Sequence, residues 1–379
     1  MRSINEAVIK NNNVFIKMDY NVGIDKGRVL NDYKIKASFS TIKDVYYKNP
    51  ARIIIGSHLG RPKGHFDKSL SCLPIFDVLQ KMIKEELKEN LYFCKIEDYK
   101  GEKFVLLENL RFYPEEQKNL HTNTILSDFF KKYVDILIVD AFGVLHREEY
   151  STCLTGKTPF AGNLVRNEYI IGKELLNDGV ELIILGGSKI KDKVSILESL
   201  VPNCKSIFVL GALACSFLKY HYNVEVGKSK VEEDVAEMIE RIYKLSNEHT
   251  VNIYLPQDYK VLQNGKYFLS EKIPKDGEVV DIGLKTIEQL EKVINKYESI
   301  FWNGPPGIFE NFNSSAGSEA LVKILAKKCK VVVGGGETSA CVCRFGNVND
   351  FFHVSTGGGA FLKLLGNEKL PGIDLLLNK

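Results

Sequence analysis

Short apolar runs rich in β-branched residues alternate along this chain with longer stretches of helical periodicity. The runs are Val14–Met18, Ile53–Ile55, Val105–Leu107, Ile136–Val139, Leu182–Leu185, Ile207–Leu210, Asn252–Leu255, Ile300–Trp302 and Val331–Val333. Runs this short, bounded by turn formers and apolar at nearly every position, read as strands buried on both faces of a parallel sheet. Ile75–Leu87 and Val231–Leu245 instead carry their apolar residues on one helical face. Strand–helix alternation predicts an α/β fold. A length of 379 residues predicts two domains.

The residues just after each strand carry more information than the strands themselves. The first strand leads into Asp19-Tyr20-Asn21, and the second into Ser57-His58-Leu59-Gly60-Arg61-Pro62-Lys63-Gly64. The next two lead into Glu108-Asn109-Leu110-Arg111, and into Asp140-Ala141-Phe142-Gly143 with His146-Arg147. Ligands of open α/β sheets bind outside the carboxyl ends of the strands, so one sheet edge collects all these groups. The first half gathers cations: Lys17, Lys34, His58, Arg61, Lys63, Arg111, His146 and Arg147. The second half gathers glycines at Gly186-Gly187, Gly211, Gly304, Gly307, Gly334–Gly336 and Gly357–Gly359. Arginine forks suit phosphate and carboxylate. Glycine lets backbone amides approach phosphates at helix N-termini. A small polyanion in one half and a nucleotide in the other is the expectation. Taken singly, a strand-end arginine is a surface ion pair and a glycine run is a loop. Their recurrence at strand after strand is what argues for a site.

Composition narrows the partners. Hydrophobic residues at 44% and charged residues at 26% supply an ordinary core, and the formal net charge is only +3. That balance argues against nucleic acid or membrane lipid as an electrostatic partner. No apolar run approaches the roughly 20 residues of a membrane span. Met1–Lys10 lacks the apolar core of a signal peptide. The eight cysteines form no CxxC pair, and the Cys341–Cys343 spacing is a weak metal signal, so idle thiols in the cytosol are expected. Nothing in the chain calls for more than a monomer. The Walker A pattern is absent: Gly156-Lys157-Thr158 and Gly227-Lys228-Ser229 both lack the first glycine. GxGxxG and the protein-kinase signatures are missing too.

The strings MDYNVG (Met18–Gly23), SHLGRPKG (Ser57–Gly64), LLENLRF (Leu106–Phe112) and DAFGVLHR (Asp140–Arg147) resemble phosphoglycerate kinases. So do GGSKIKDK (Gly186–Lys193), LPQD (Leu255–Asp258), WNGPPGIFE (Trp302–Glu310), GGGET (Gly334–Thr338) and HVSTGGGAFLKLLG (His353–Gly366). The likeness covers about Val14 to Gly372, in family order. It implies two Rossmann-like, doubly wound parallel-sheet domains facing across a hinge-bending cleft. Residues 1–165, rejoined by a tail of about 365–379, would bind 3-phosphoglycerate or 1,3-bisphosphoglycerate. Residues 166–364 would bind ADP or ATP with Mg²⁺.

Carried over by this resemblance, the triose ligands are Asp19, Tyr20, Asn21, Lys34, His58, Leu59, Gly60, Arg61, Arg111, His146 and Arg147. Arg61, Arg111 and Arg147 would grip the phosphate that is not transferred, while His58 and Asn21 would orient the other end. The nucleotide ligands are Gly187, Ser188, Lys189, Lys193, Gly211, Gly283, Asn303, Pro305, Glu310, Gly335, Gly336, Glu337 and Thr338, with Glu310 on the ribose. Lys34, Lys189, Lys193, Gly336 and Gly359 would act on the transferring group, beside Gly335 and Gly358. Glu337 and Asp192 would hold the metal. Ser355 and Thr356 resemble hinge residues.

Four positions depart from the family pattern. Lys34 stands for an arginine, Glu149 for a histidine and Glu337 for an aspartate, and Gly211-Ala212-Leu213-Ala214 stands where consecutive glycines meet the base. Glu149 is expected to point away from the phosphate and pair with Arg147 or a nearby lysine. These departures also fit a descendant that binds ligands without catalysis. Residues 260–277 read as a hairpin or loop excursion of unassigned role.

Overall fold

The computed structural model describes residues 1–117 and 124–377. They fall into two compact units, one of Met1–Ile170 with the segment from Lys369 onward, the other of Ile171–Glu368. The division lies inside helix Asn163–Asp178.

The first unit is built on six parallel strands: β1 (Asn13–Met18), β2 (Arg52–Gly56), β3 (Tyr92–Cys94), β4 (Phe104–Leu107), β5 (Ile136–Asp140) and β6 (Pro159–Ala161), in the order β3-β4-β2-β1-β5-β6. The central strands are the apolar runs expected, each extended by a residue or two. They are buried, and helices Tyr33–Tyr47 and Leu73–Glu86 bring Ile35, Phe39, Ile42, Ile75, Leu79 and Ile83 into the same apolar core. Packing at the strand ends is close enough to demand Gly56, where a Cβ would lie 2.3 Å from Phe15 Cζ. The C-terminal helix Pro371–Leu376 also belongs to this unit. The amide of Arg2 donates to Leu376 O (2.9 Å) and that of Gly372 to Leu145 O (3.0 Å). The last residues of the expected tail, 378–379, lie outside the described residues.

The second unit carries β7 (Leu182–Leu185), β8 (Ser206–Val209), β9 (Asn252–Tyr254), β13 (Ser299–Asn303), β14 (Lys330–Gly334) and β15 (His353–Val354). They form a second all-parallel sheet of six, ordered β9-β8-β7-β13-β14-β15. The chain moves one way from β7 and resumes on its other side at β13. The crevice outside Leu185 and Asn303 is therefore the topological switch point where ligands bind.

The excursion at 260–277 is a hairpin of β10 (Tyr259–Gln263) and β11 (Lys266–Ser270), closed by Asn264 (φ 48°) and Gly265 (φ 75°). Two consecutive left-handed residues give the turn whose twist suits a hairpin. Strand β12 (Glu278–Ile282) completes this small antiparallel sheet. Among the described residues no helix is long and apolar enough to cross a membrane. All eight cysteines are free thiols.

Candidate active site

In the second unit two cavities open at the switch point. One, of 240 Å³, is lined by Lys189, Asp192, Lys193, Asn303, Gly335, Gly336, Glu337, Thr338, Gly358 and Gly359. The other, of 310 Å³, is lined by Gly211, Ala212, Lys230, Glu278, Pro305, Phe309 and Glu310 among others. They share Gly187, Ser188 and Glu337, so together they make one elongated site.

The smaller cavity is prepared for anions. Helices Gly336–Phe345 and Gly358–Leu365 both begin at its wall, and their free amides and dipoles favour negative charge. Their ends meet backbone to backbone: a Cβ on Gly358 would lie 2.6 Å from the Gly336 nitrogen. Gly336 and Gly359 face nothing within 4 Å, leaving open the space a phosphate would need. Gly335 takes φ 100°, and a side chain there would strike Asn303 Nδ2 at 2.5 Å. The strand ends are stapled from side to side. Asn303 Nδ2 donates to Gly334 O (2.8 Å) and the Gly304 amide to Thr338 Oγ1 (2.8 Å), which leaves Asn303 Oδ1 buried with no hydrogen-bond partner.

Two lysines balance the missing charge. Burial lowers the pKa of Lys193, against the pull of Asp192 and Glu337. Its Nζ donates to Lys189 O (3.3 Å). The turn carrying both lysines is held by Glu232, whose Oε2 accepts from the amides of Ile190 and Lys191.

In the first unit the cations do converge, but not as a free cluster. Asp19 ends β1 and pairs with Lys34 (Nζ to Oδ2, 3.1 Å), while His58 Nε2 lies 3.7 Å from its other oxygen. Burial opposes the charge of Asp19, yet Lys34 and His58 hold its pKa down at about 2. Burial drives His58 down to about 3, so it is neutral near pH 7. Asn21 Oδ1 accepts from the Gly60 amide (2.9 Å), fixing the loop that exposes Arg61. Arg147 Nε donates to His146 Nε2 (3.0 Å). Burial lowers the pKa of Arg147, and neighbouring Arg111 and Arg61 add to this while Glu149 opposes it. Arg111 is 2% exposed. Its Nη1 donates to Gly60 O (2.9 Å) and its Nη2 to Glu149 Oε1 (2.5 Å).

The phosphoglycerate kinase family model matches residues 4–368. The chain belongs to this family. It is 34% identical to the phosphoglycerate kinase of Finegoldia magna, over 99% of this chain and 98% of that one. The phosphoglycerate kinase of Pseudothermotoga lettingae is 35% identical, over 100% and 98%. The solved structure of phosphoglycerate kinase from Coxiella burnetii superposes with a TM-score of 0.82 at 30% identity, covering 99% of this chain and 98% of that one. Family membership makes the chain a kinase acting on small-molecule substrates, one of them a nucleotide.

Against this family background several expected residues fall in different places. Tyr20 and Leu59 were expected on the substrate, but their side chains are buried in the apolar core of the first unit. They sit inside site motifs because the backbone there must be anchored. Gly283 lines neither cavity: it precedes helix Leu284–Ile294, and a Cβ there would strike the Asp258 carboxylate at 2.2 Å. Of the two partners expected for Glu149, the structure shows the nearby lysine, Lys17, and not Arg147, and it adds Arg111. After Gly211, Ala212 lines the larger cavity, while Leu213 and Ala214 are buried. Ser355 ends β15, with its amide on Val333 O (2.9 Å).

Sequence reading missed Lys230, Glu278 and Phe309 on the larger cavity and Glu232 beneath the lysine turn. Lys230 and Glu278 reach the same rim because the Lys228 amide donates to Gly277 O (2.8 Å) and the Val279 amide to Ser229 Oγ (3.0 Å). No local motif signals that pairing.

Proposed function

We propose that the chain catalyses 1,3-bisphosphoglycerate + ADP ⇌ 3-phosphoglycerate + ATP, as a glycolytic, cytosolic monomer. The observation that carries this is the cavity where two helix N-termini meet Lys189 and Lys193, sharing Gly187, Ser188 and Glu337 with a second cavity lined by Glu310. The nucleotide lies along the two, its base towards Ala212 and Phe309 and its terminal phosphate towards Gly336 and Gly359. The triose binds the first unit through Asp19, Asn21, His58, Arg61, Arg111, His146 and Arg147. The transfer needs no covalent intermediate, because positioning and charge neutralisation supply most of the catalysis. Lys189, Lys193 and the helix-start amides neutralise the moving phosphoryl group, and Lys34 is a further catalytic cation.

Among the described residues no cluster of three His, Cys, Asp or Glu side chains forms a metal cage. Two carboxylates, Glu337 and Asp192, do line the phosphate cavity. That donor set fits Mg²⁺ arriving on the nucleotide, since this ion commonly takes one or two carboxylates plus phosphates and water. Bound there, the ion would neutralise charge between the phosphates.

The test is steady-state turnover of the purified chain with 3-phosphoglycerate and Mg-ATP, against a metal-free control. Metal-dependent turnover supports the reaction. Binding of both ligands without turnover would favour a non-catalytic binding protein, the reading to which the Arg111–Glu149 pair lends weight.

A further inference from the structure

Inside the cationic cluster of the first unit one residue has the opposite sign. Glu149 is 1% exposed, and its Oε1 accepts from Arg111 Nη2. Its Oε2 lies 3.3 Å from Lys17 Nζ, and that amine lies 2.6 Å from Glu116 Oε1. Glu116 in turn accepts from the Ser151 amide (3.0 Å) and hydroxyl (2.6 Å). Two cations and two carboxylates thus alternate in a buried chain, Arg111–Glu149–Lys17–Glu116, whose formal charges cancel. Arg111 has committed both terminal nitrogens, one to Glu149 and one to Gly60 O, and its buried Nε has no hydrogen-bond partner. Two of its five N–H donors are thus committed, one of them to a carboxylate, so a ligand anion meets a guanidinium whose charge Glu149 already offsets.

We propose that Glu149 is an internal anion occupying the place on Arg111 that a ligand's phosphate would take, so that triose phosphate binding is an exchange of one anion for another. The inference rests on the reading of this cluster as the triose phosphate pocket. Displaced from Arg111, Glu149 keeps Lys17 as its cation, so the exchange strands no carboxylate. Its outcome depends on charge. A phosphate ester carries nearly two negative charges at neutral pH and a carboxylate one. A dianion can therefore displace Glu149 where a carboxylate cannot. Glu149 acts as a specificity-determining residue that rejects carboxylates at the cost of overall affinity.

Calorimetry on the full chain tests this, using 3-phosphoglycerate, ADP and glutarate, a dicarboxylate of comparable length, as probes. The expected result for Glu149→Gln is at least about tenfold tighter 3-phosphoglycerate binding, the scale on which close charge pairs act at interfaces. ADP affinity is expected to stay the same, and competition by glutarate should appear only in the variant. Equal 3-phosphoglycerate affinity in both chains, or equal glutarate competition, would overturn the role of Glu149 while leaving the pocket assignment intact. No binding of 3-phosphoglycerate by either chain would overturn both. If Glu149→Gln does not fold, Glu149→His carries the same test, because an imidazole buried beside Lys17 and Arg111 stays neutral.

Discussion

Lys34 Nζ lies 3.1 Å from Asp19 Oδ2, so this lysine is held by the acid that follows β1. An ammonium satisfies that carboxylate as a single point of charge. A guanidinium in its place could keep the pair and still present donors to a phosphoryl group. Lys34→Arg is expected to raise kcat by about tenfold or more, since one transition-state donor is worth that much in comparable sites, with little change in either KM. Unchanged or lower turnover in steady-state assays would mean the surroundings are built for lysine.

The helix-start glycines divide into two kinds that mutate differently. Gly358→Ala drives a methyl group to 2.6 Å from the Gly336 nitrogen, so the two helix starts must separate. Turnover is expected to fall on the order of 100-fold, the cost of displacing catalytic groups by about 1 Å, with a lowered Tm. Gly336→Ala and Gly359→Ala meet no protein atom within 4 Å, so their Tm should hold while turnover falls. A fully active Gly359→Ala would empty that wall of its role.

His58 sets part of the acid stability. Its folded-state pKa is about 3, against 6.5 for the free side chain. The unfolded chain takes up this proton below pH 6.5 and the folded chain only near pH 3, so the contribution of His58 is lost as pH falls through that window. Asp19, lowered from 3.8 to about 2, adds a loss only below pH 4. Asp140 and Asp281, raised to about 7 by burial, work in the opposite direction by holding a proton the unfolded chain releases. The informative quantity is therefore a difference. Between pH 7.5 and 4, urea unfolding should show His58→Gln losing on the order of 3 kcal/mol less than the parent chain. Parallel pH profiles for the two proteins would refute the assignment.

Glu337 is shared by both cavities of the second unit, where Asp192 is the other candidate metal carboxylate. Glu337→Gln is expected to raise the Mg²⁺ concentration for half-maximal activity about tenfold, as loss of one of few charged ligands would. Titrating the metal at fixed nucleotide measures it, and an unmoved midpoint would assign the ion to other groups.

The central strands and the residues at their carboxyl ends were legible because a doubly buried strand must be apolar at every position. Of the four edge strands of the parallel sheets only Asn252–Tyr254 was. Tyr92–Cys94, Pro159–Ala161 and His353–Val354 are two or three residues long and carry proline, histidine or an exposed tyrosine, which edges tolerate. Motif position also overstated function. Tyr20 and Leu59 lie within site strings yet serve the core, because a loop that presents Asp19, Asn21 and Arg61 needs apolar anchors between them. The pairing of Lys17 with Glu116 spans 99 residues of sequence, and nothing local announces it. The rim made by Lys230 and Glu278 depended on how the small antiparallel sheet docks.

The helix Pro371–Leu376 has a consequence for how the protein is made. The second unit is one unbroken stretch, whereas the first needs the segment from Lys369 onward. On a ribosome working from the N-terminus, the later unit has all its residues first. The earlier one waits, with the Arg2 amide and the Leu145 carbonyl without these partners, until Gly372 and Leu376 are in place. The first unit therefore completes its backbone pairing only after the whole sequence of the second has been made, which leaves its two ends dependent on a segment encoded about 200 residues later.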